Sequence, residues 1–288
     1  MIDKSDKELR IKALEKVVWI GYPRAIHIRG RLDSLLSYER MHRMPNLAIV
    51  GESNNGKTML LNNFCKRANP ETSPLDKKTV LPVLMIQTPP EPDENRLYDE
   101  LLTELFANGS PREPITTKKA RFAKLVEVLE TRLLIFDEFQ HMLAGSLLKQ
   151  RKFLNAIKYL GNLLQISCVV SGTPETLNAL QADPQIANRF EPVFLPKWKL
   201  DADFLRLLVT LESLLGLKET SNLAQEKLAT LLLATCEGNI GELCFLLRKL
   251  ATYAINSGEE RITENMFKAE ILKAAEWTSP SNRNRSSD

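Results

Sequence analysis

No apolar run in this sequence approaches the ~20 residues that a membrane span needs. The N-terminus, MIDKSDKELRIKALEK, carries charge where a signal peptide would carry an apolar stretch. Both absences argue against a membrane partner and place the chain in the cytosol. Cysteine is scarce: Cys65, Cys168, Cys236 and Cys244 are the only four, without C-x-x-C spacing and each among apolar neighbours. This excludes a disulfide framework and reads as buried thiols in a reducing compartment. Three histidines, His27, His42 and His141, form no ligand cluster with them, so no zinc site is expected. Charge of one sign is missing too. A net charge of +3 does not by itself argue for nucleic acid. There is no internal repeat. What remains is an ordinary globular composition, 43% hydrophobic over 288 residues, enough for one large domain or two small ones.

Against that background one stretch stands out. Gly51-Glu52-Ser53-Asn54-Asn55-Gly56-Lys57-Thr58 is a complete G-x-x-x-x-G-K-[ST] phosphate loop, with Met59 following it. It comes after the apolar run Leu47-Ala48-Ile49-Val50 and before a helical pattern with Leu60, Leu61 and Phe64 on one side. Strand, glycine-rich turn and helix is the context the motif requires. The glycines let the backbone fold around phosphate oxygens, and the N–H groups at the helix start point at them. Lys57 would reach the β- and γ-phosphates, and the Thr58 hydroxyl would sit on Mg²⁺. The expected ligands are therefore a nucleoside triphosphate and Mg²⁺.

The rest of the chain alternates. Residues 1–45 read as a helical lead-in, containing the turn Gly21-Tyr22-Pro23-Arg24-Ala25 and the amphipathic run Arg31–Leu36, stopped by Pro45. Further strands are expected at 80–86, 133–136, 166–170 and 192–195, with helices between them. That pattern predicts an α/β domain over residues 46–200, a parallel sheet covered on both faces. From 201 to 277 only helical periods remain, with runs starting at Asp203, near Ser221, at Asn239 and at Thr263. Thr263 is placed as an N-cap, with Ile262 and Phe267 as a hydrophobic staple. This is a small all-helical domain. The tail, residues 278–288, is Ser-, Asn- and Arg-rich and is expected to be disordered.

Chemistry beyond binding is suggested at two strand ends. Leu133-Leu134-Ile135-Phe136 runs into Asp137-Glu138. In phosphate-loop NTPases the first such acid holds Mg²⁺ together with the Thr hydroxyl, here Asp137 with Thr58. Glu138 is then placed to orient and deprotonate the attacking water. Ser171-Gly172-Thr173 ends the next strand, where a polar side chain either contacts the γ-phosphate or simply caps the turn. Two basic clusters, Lys118, Lys119, Arg121 and Lys124, and Lys149, Arg151, Lys152 and Lys158, are either phosphate contacts or solvated helix faces.

Together these elements look like the AAA+ P-loop ATPases, near the initiator and helicase-loader branch. Three segments sharpen the match. They are Arg43-Met44-Pro45-Asn46-Leu47 running into GESNNGKT, the acidic strand followed by Phe139-Gln140-His141-Met142-Leu143-Ala144-Gly145, and LNAIKYLGNLLQISCVVSGTPETLNALQADPQIANRFEPVFLPKW. These resemble the TniB/TnsC family of transposition ATPases, from about Tyr22 to Trp277. The resemblance implies an ATP-dependent regulator of DNA transposition. Such a protein forms rings or helical filaments on double-stranded DNA, with ATP between subunits. It recruits or activates a DDE-type transposase and connects it to a TniQ-like target-selection protein, and hydrolysis disassembles the filament. Carried over residue by residue, Lys57, Thr58, Asp137 and Glu138 keep their roles. Thr173 becomes the sensor-1 residue and Arg189 the finger reaching a neighbour's γ-phosphate, while Tyr22-Pro23-Arg24 falls where the adenine pocket begins. The helical domain becomes the lid.

The family's DNA contacts line the ring pore. Lys118, Lys119 and Arg121, with Thr116 or Thr117, fall in about the right segment, and Lys149, Arg151 and Lys152 come second. Such contacts would be salt-sensitive and largely sequence-blind. The absence of an aromatic platform favours duplex over single strands. One position departs from the family. The helix after Gly238-Asn239-Ile240-Gly241 often carries a sensor-2 arginine directly after the second Gly, and here that residue is Glu242. Either Arg248 substitutes or the lid makes no charged contact with the γ-phosphate, which argues against fast intrinsic hydrolysis. Three other readings compete: an ATP-locked DNA-binding scaffold with negligible turnover, a helicase loader or replication initiator, and a small-molecule kinase. The Asp-Glu pair, the Arg189 position and the C-terminal helices count against the last.

Overall fold

The computed structural model describes residues 4–16, 18–71, 79–110, 112–181 and 183–283. The chain runs α1 (Lys4–Leu14), α2 (Pro23–Ser37), β1 (Asn46–Gly51), α3 (Lys57–Ala68), β2 (Val83–Gln87), α4 (Glu94–Glu104), α5 (Ile115–Val128) and β3 (Leu133–Asp137). After a 3₁₀ turn at Phe139–Ala144 come α6 (Leu147–Leu164), β4 (Ser167–Gly172), α7 (Glu175–Gln181), α8 (Pro184–Ala187) and β5 (Phe190–Leu195). The remainder is helical: α9 (Ala202–Leu214), α10 (Glu226–Thr235), α11 (Ile240–Ser257), a 3₁₀ turn at Glu264–Phe267, α12 (Ala269–Ala274) and α13 (Pro280–Arg283). No single helix among the described residues is long and apolar enough to cross a membrane.

The contacts divide into two units, residues 24–53 with 57–195, and residues up to Pro23 with 54–56 and 196–288. The first is a five-stranded, all-parallel sheet in the order β2-β3-β4-β1-β5. β1, β3 and β4 are buried along almost their whole length, as strands covered on both faces must be. Their apolar runs pair in register: Val50 lies opposite Gly172 on one side and Phe194 on the other, and Gln87 opposite Asp137. The core gathers Leu97, Tyr98 and Leu101 of α4, Phe122 of α5 and Phe153 and Ile157 of α6 against the strands. Tyr98 and Phe122 meet edge to face at 6.3 Å. Local signals set the helix starts. The Asp93 side chain accepts from the Arg96 N–H, and Pro184 sits in the first turn of α8 after the capping Asp183.

The second unit packs Phe204, Leu208, Leu232, Leu243, Leu247 and Leu250 into a core of its own. α1 lies on α11 and is fastened by Arg10, whose guanidinium pairs with Glu260 at 2.6 Å and donates to the Gly216 carbonyl. The N-terminal lead-in is thus divided, α1 joining the helical unit and α2 the sheet. Three expectations change. The run near Ser221 begins its helix only at Glu226, because the N–H groups of Ser221, Asn222 and Leu223 are taken by the Glu212 carboxylate. Thr263 occupies an N-cap position but does not cap with its side chain. Its hydroxyl donates to Glu259, and only a 3₁₀ turn follows. The tail is ordered at its start: Pro280–Arg283 form a helical turn held by Arg283, and residues 284–288 lie outside the described residues.

Cys168 and Cys236 are buried, whereas Cys65 and Cys244 are half-buried; all four are free thiols. Burial pushes the Cys168 thiol up to about 12 and Cys65 and Cys236 up to about 11, and raises Cys244 as well. Raising a thiol's pKa removes the reactive thiolate. One titrating near 11 is only about 0.1% thiolate at pH 8. Iodoacetamide at pH 8 is expected to label the native protein slowly and all four cysteines quickly in guanidinium, followed by mass spectrometry. Rapid native-state labelling of Cys168 is the contrary result.

Candidate nucleotide site

β1 ends at Gly51 and α3 starts at Lys57, so the intervening loop must turn within a few residues. Asn54 (φ 58°) and Gly56 (φ 84°) take the left-handed conformation, which Asn tolerates and Gly adopts freely. The Lys57 ammonium, 5% exposed with its residue, donates to the carbonyls of Gly51 and Glu52, both at 2.8 Å. Burial lowers its pKa, and the nearby carboxylates of Glu138, Asp137 and Glu52 work the other way. At the end of β3, Asp137 is 3% exposed, and its Oδ2 accepts from the Thr58 hydroxyl at 2.6 Å. The two residues expected to share a cation thus meet directly.

Beside Asp137 the backbone of Glu138 is left-handed, at φ 54° and ψ 41°. For a residue with a long side chain this costs roughly 1 kcal/mol or more and marks a position that its surroundings enforce. The Glu138 carboxylate accepts from the side-chain amide of Gln140 at 2.5 Å, and the Gln140 carbonyl accepts from the Thr173 N–H at 3.2 Å. Gln140 therefore bridges the acid at the end of β3 and the turn after β4. The contact needs Gly172, where a Cβ would run into the Gln140 oxygen. Sequence reasoning passes over Gln140. It lies in the segment 139–145 that carries the resemblance but is given no role there, and its place beside Glu138 depends on the 3₁₀ turn.

The Thr173 hydroxyl is hydrogen-bonded to Glu175, whose carboxyl it holds below the ordinary carboxylate range. The link from this turn towards Glu138 runs through the Thr173 backbone N–H and Gln140. Arg189 precedes β5 and donates to Asn162 of α6 at 2.9 Å. Since Phe190 pairs with Asn46, the first residue of β1, Arg189 lies at the edge of the sheet opposite the phosphate loop. About 20 Å of strand separates it from its own loop, so it does not serve that loop. Arg24 donates to the Phe194 carbonyl at 2.7 Å, and the Tyr22 ring packs edge-on against Trp198 at 4.8 Å. Burial pushes the Tyr22 phenol up to about 12. Pro23 opens α2.

The first basic cluster is not a free surface. Lys118 is 1% exposed, paired with Asp99 at 2.5 Å and bonded to Asn95 at 2.9 Å. Lys119 pairs with Glu94 at 2.6 Å and lies over the rings of Tyr98 and Tyr159, while Arg121 pairs with Glu113. These residues tie α5 to α4 and to the segment before it; burial takes Lys118 out of reach of a phosphate, whereas Lys119 and Arg121 keep about a third of their side chains exposed. The periodicity of α5 alone does not show that Lys118 lies on its buried face. Thr117, Lys149, Arg151 and Lys152 are exposed, the last three in the first turns of α6, and Lys149 makes a 3.6 Å pair with Glu91.

Divalent-cation chemistry fits the residues present. Asp137 Oδ1 is buried without a hydrogen-bond partner, beside a hydroxyl, and a hard cation prefers such oxygens. No group of three or more His, Cys, Asp or Glu side chains suited to a metal occurs among the described residues. A site of this kind therefore draws its other ligands from phosphate and water. The corrected role of Lys118 is testable. Lys118→Ala removes a buried stem and its ion pair and is expected to lower stability by about 2–3 kcal/mol, read as a fall in the urea midpoint. An unchanged midpoint would return Lys118 to the surface.

The comparisons with known proteins now have a geometry to meet. Among solved structures, the Aeropyrum pernix ORC2 protein in its ADPNP–ADP complexes aligns with TM-score 0.64 at 15% identity, covering 90% of this chain and 71% of that one. Cdc6p from Pyrobaculum aerophilum aligns with TM-score 0.65 at 15% identity, covering 92% and 70%. The Aeropyrum pernix ORC1 protein in complex with DNA gives TM-score 0.55 at 16% identity, covering 92% and 68%. At these identities the likeness speaks for the fold, which is that of the AAA+ P-loop proteins. No curated protein matches the sequence. The profile of the family described as Bacterial TniB protein matches residues 10–200. Because that match runs through the phosphate loop, both acids of β3, the Gln140 bridge and Arg189, the chain belongs to the TniB family.

Proposed function

We propose that the protein is an AAA+ ATPase that oligomerises on double-stranded DNA in the cytoplasm and directs DNA transposition, hydrolysing ATP to ADP and phosphate. The observation that carries this reading is the meeting of Thr58, Asp137 and Lys57 at one edge of the sheet, with Glu138 beside them. Mg²⁺, when bound, would neutralise phosphate charge, and Thr58 and Asp137 are the residues to hold it. Lys57 leaves the carbonyls of Gly51 and Glu52 for phosphate oxygens. Glu138 takes a proton as the water oxygen bonds to the γ-phosphorus and the bond to the bridging oxygen breaks. Arg189, at the opposite edge, serves a neighbouring copy. Thr117, Lys149, Arg151 and Lys152 supply the exposed groups for duplex phosphates. The family implies a DDE-type transposase as the downstream partner and a TniQ-like protein as the link to target choice.

A second reading has its own observation. The Glu138 carboxylate is bonded to Gln140, which suits an ATP-locked scaffold with negligible turnover. In the enzyme reading, Gln140 orients the base and yields it when the turn at Thr173 shifts.

Electron microscopy with linear duplex DNA, with and without a non-hydrolysable ATP analogue, tests assembly. Nucleotide-dependent rings or filaments are expected. Monomers in every condition would overturn the role of Arg189 in trans and favour a loader. Turnover tests the chemistry. Glu138→Gln should lower kcat at least about 100-fold and prolong the filaments. Gln140→Ala should change kcat several-fold while leaving KM for ATP within about twofold, since it acts on the base and not on binding. Negligible parent turnover together with unchanged filament lifetime in Glu138→Gln establishes the scaffold.

A further inference from the structure

Position 242 holds a carboxylate where a phosphate-facing arginine is expected, and the helical unit shows what that carboxylate does. Glu242 is in the first turn of α11 and is 8% exposed with its residue. Its Oε1 accepts from the side-chain amide of Asn54 at 3.0 Å. Asn54 belongs to the phosphate loop, and its carbonyl accepts from the Gly241 N–H at 3.0 Å. A negative charge is therefore set one hydrogen bond from the loop that is to receive a triphosphate. Uncompensated, it would oppose that ligand and would be costly to bury.

The compensation comes from the end of the described chain. Arg283 donates to Glu242 through both terminal nitrogens, at 3.1 Å to Oε1 and 2.8 Å to Oε2. Its Nε donates to the Thr278 carbonyl at 2.9 Å, and the guanidinium lies over the rings of Trp277 at 5.1 Å and Phe245 at 5.7 Å. The fork geometry and the two aromatic faces suit arginine and not lysine.

We propose that Arg283 is a positioning residue of the nucleotide site: its two-point pair with Glu242 cancels the carboxylate's charge and keeps it turned to Asn54, so that the loop tip accepts a triphosphate. The cation missing from position 242 is thus restored from the tail, acting through the acid and not on the phosphate. This inference rests on the reading of the loop as an ATP site. The short C-terminal turn that carries Arg283 lies outside the stretch matched by the family.

The test is a charge cycle on the full chain, read by titration with a fluorescently labelled ATP analogue in Mg²⁺ at low salt. Arg283→Ala leaves Glu242 uncancelled and should weaken binding about tenfold, less at high salt. Glu242→Gln leaves Arg283 unopposed and should tighten binding severalfold, a gain that a merely structural contact would not produce. The double variant should return to within about twofold of the parent, and Arg283→Lys should fall between parent and Arg283→Ala. Parent-like binding by Arg283→Ala overturns the proposal. So does a double variant as weak as Arg283→Ala, because the tail would then act only by packing. Lys57→Ala separates the underlying reading: if it binds as well as the parent, the loop is not the site and both readings fall together.

Discussion

The parallel, in-register pairing of β1 between β4 and β5 is the constraint on which the site depends. Parallel strands deliver all their carboxyl ends to one edge, where the loops that follow them meet. With Val50 opposite Gly172, and Gln87 opposite Asp137, that edge carries the phosphate loop, the acid pair and the turn after β4 side by side. A slip of one residue in β3 would send Asp137 to the other face and break its bond to Thr58. Buried Leu, Ile and Phe side chains on both faces of β3 prevent the slip: Leu133 to Phe136 are each fully buried. The apolar core thus fixes a polar geometry that would not hold itself.

Within that frame the polar groups satisfy one another in pairs that a ligand can exchange. The Lys57 ammonium is buried, and the loop carbonyls that receive its protons offset the loss of water. The Thr58 hydroxyl spends its proton on Asp137, and the second oxygen of that carboxylate is left without a donor. Gln140 satisfies Glu138 with one end and the Thr173 N–H with the other. The left-handed backbone at Glu138 makes the arrangement specific, because the side chain is aimed by a conformation that the chain would not otherwise choose. These groups form a resting network, closed on itself.

Much of this was legible in the residues. The loop, its strand and helix, and the two acids follow from local pattern: apolar runs of strand length, a glycine-bearing turn with a lysine, and carboxylates at a strand end. The expected parallel sheet and the AAA+ resemblance are met by the fold. Side-chain partnership was not legible. Lys118 reads as one of a basic cluster because a helix of this pattern shows its period more clearly than its phase. Only the packing of α4 reveals that Lys118 points inward to Asp99. Gln140 and Arg283 were missed for the same reason. Gln140 lies two residues from its partner across a 3₁₀ turn, and Arg283 lies 41 residues from Glu242 in a segment whose composition reads as disordered. The residues near Thr263 and Ser221 mislead differently: the Thr263 hydroxyl turns to the Glu259 carboxylate, and the Glu212 carboxylate takes the backbone N–H of Ser221.

The place of Arg189 has a geometric consequence. The loop and this arginine occupy opposite edges of one sheet, separated by the length of β5. A twofold pair, in which each copy gave its arginine to the other's loop, would satisfy both loops and close on itself. A head-to-tail contact, the arrangement proposed above for Arg189, would instead leave one loop and one arginine open to the next copy and so repeat. An assembly built this way has direction. One end presents a loop still waiting for its arginine and the other an arginine with no loop to serve. The two ends would be chemically different faces, and a partner that recognised one of them would read the direction of the array.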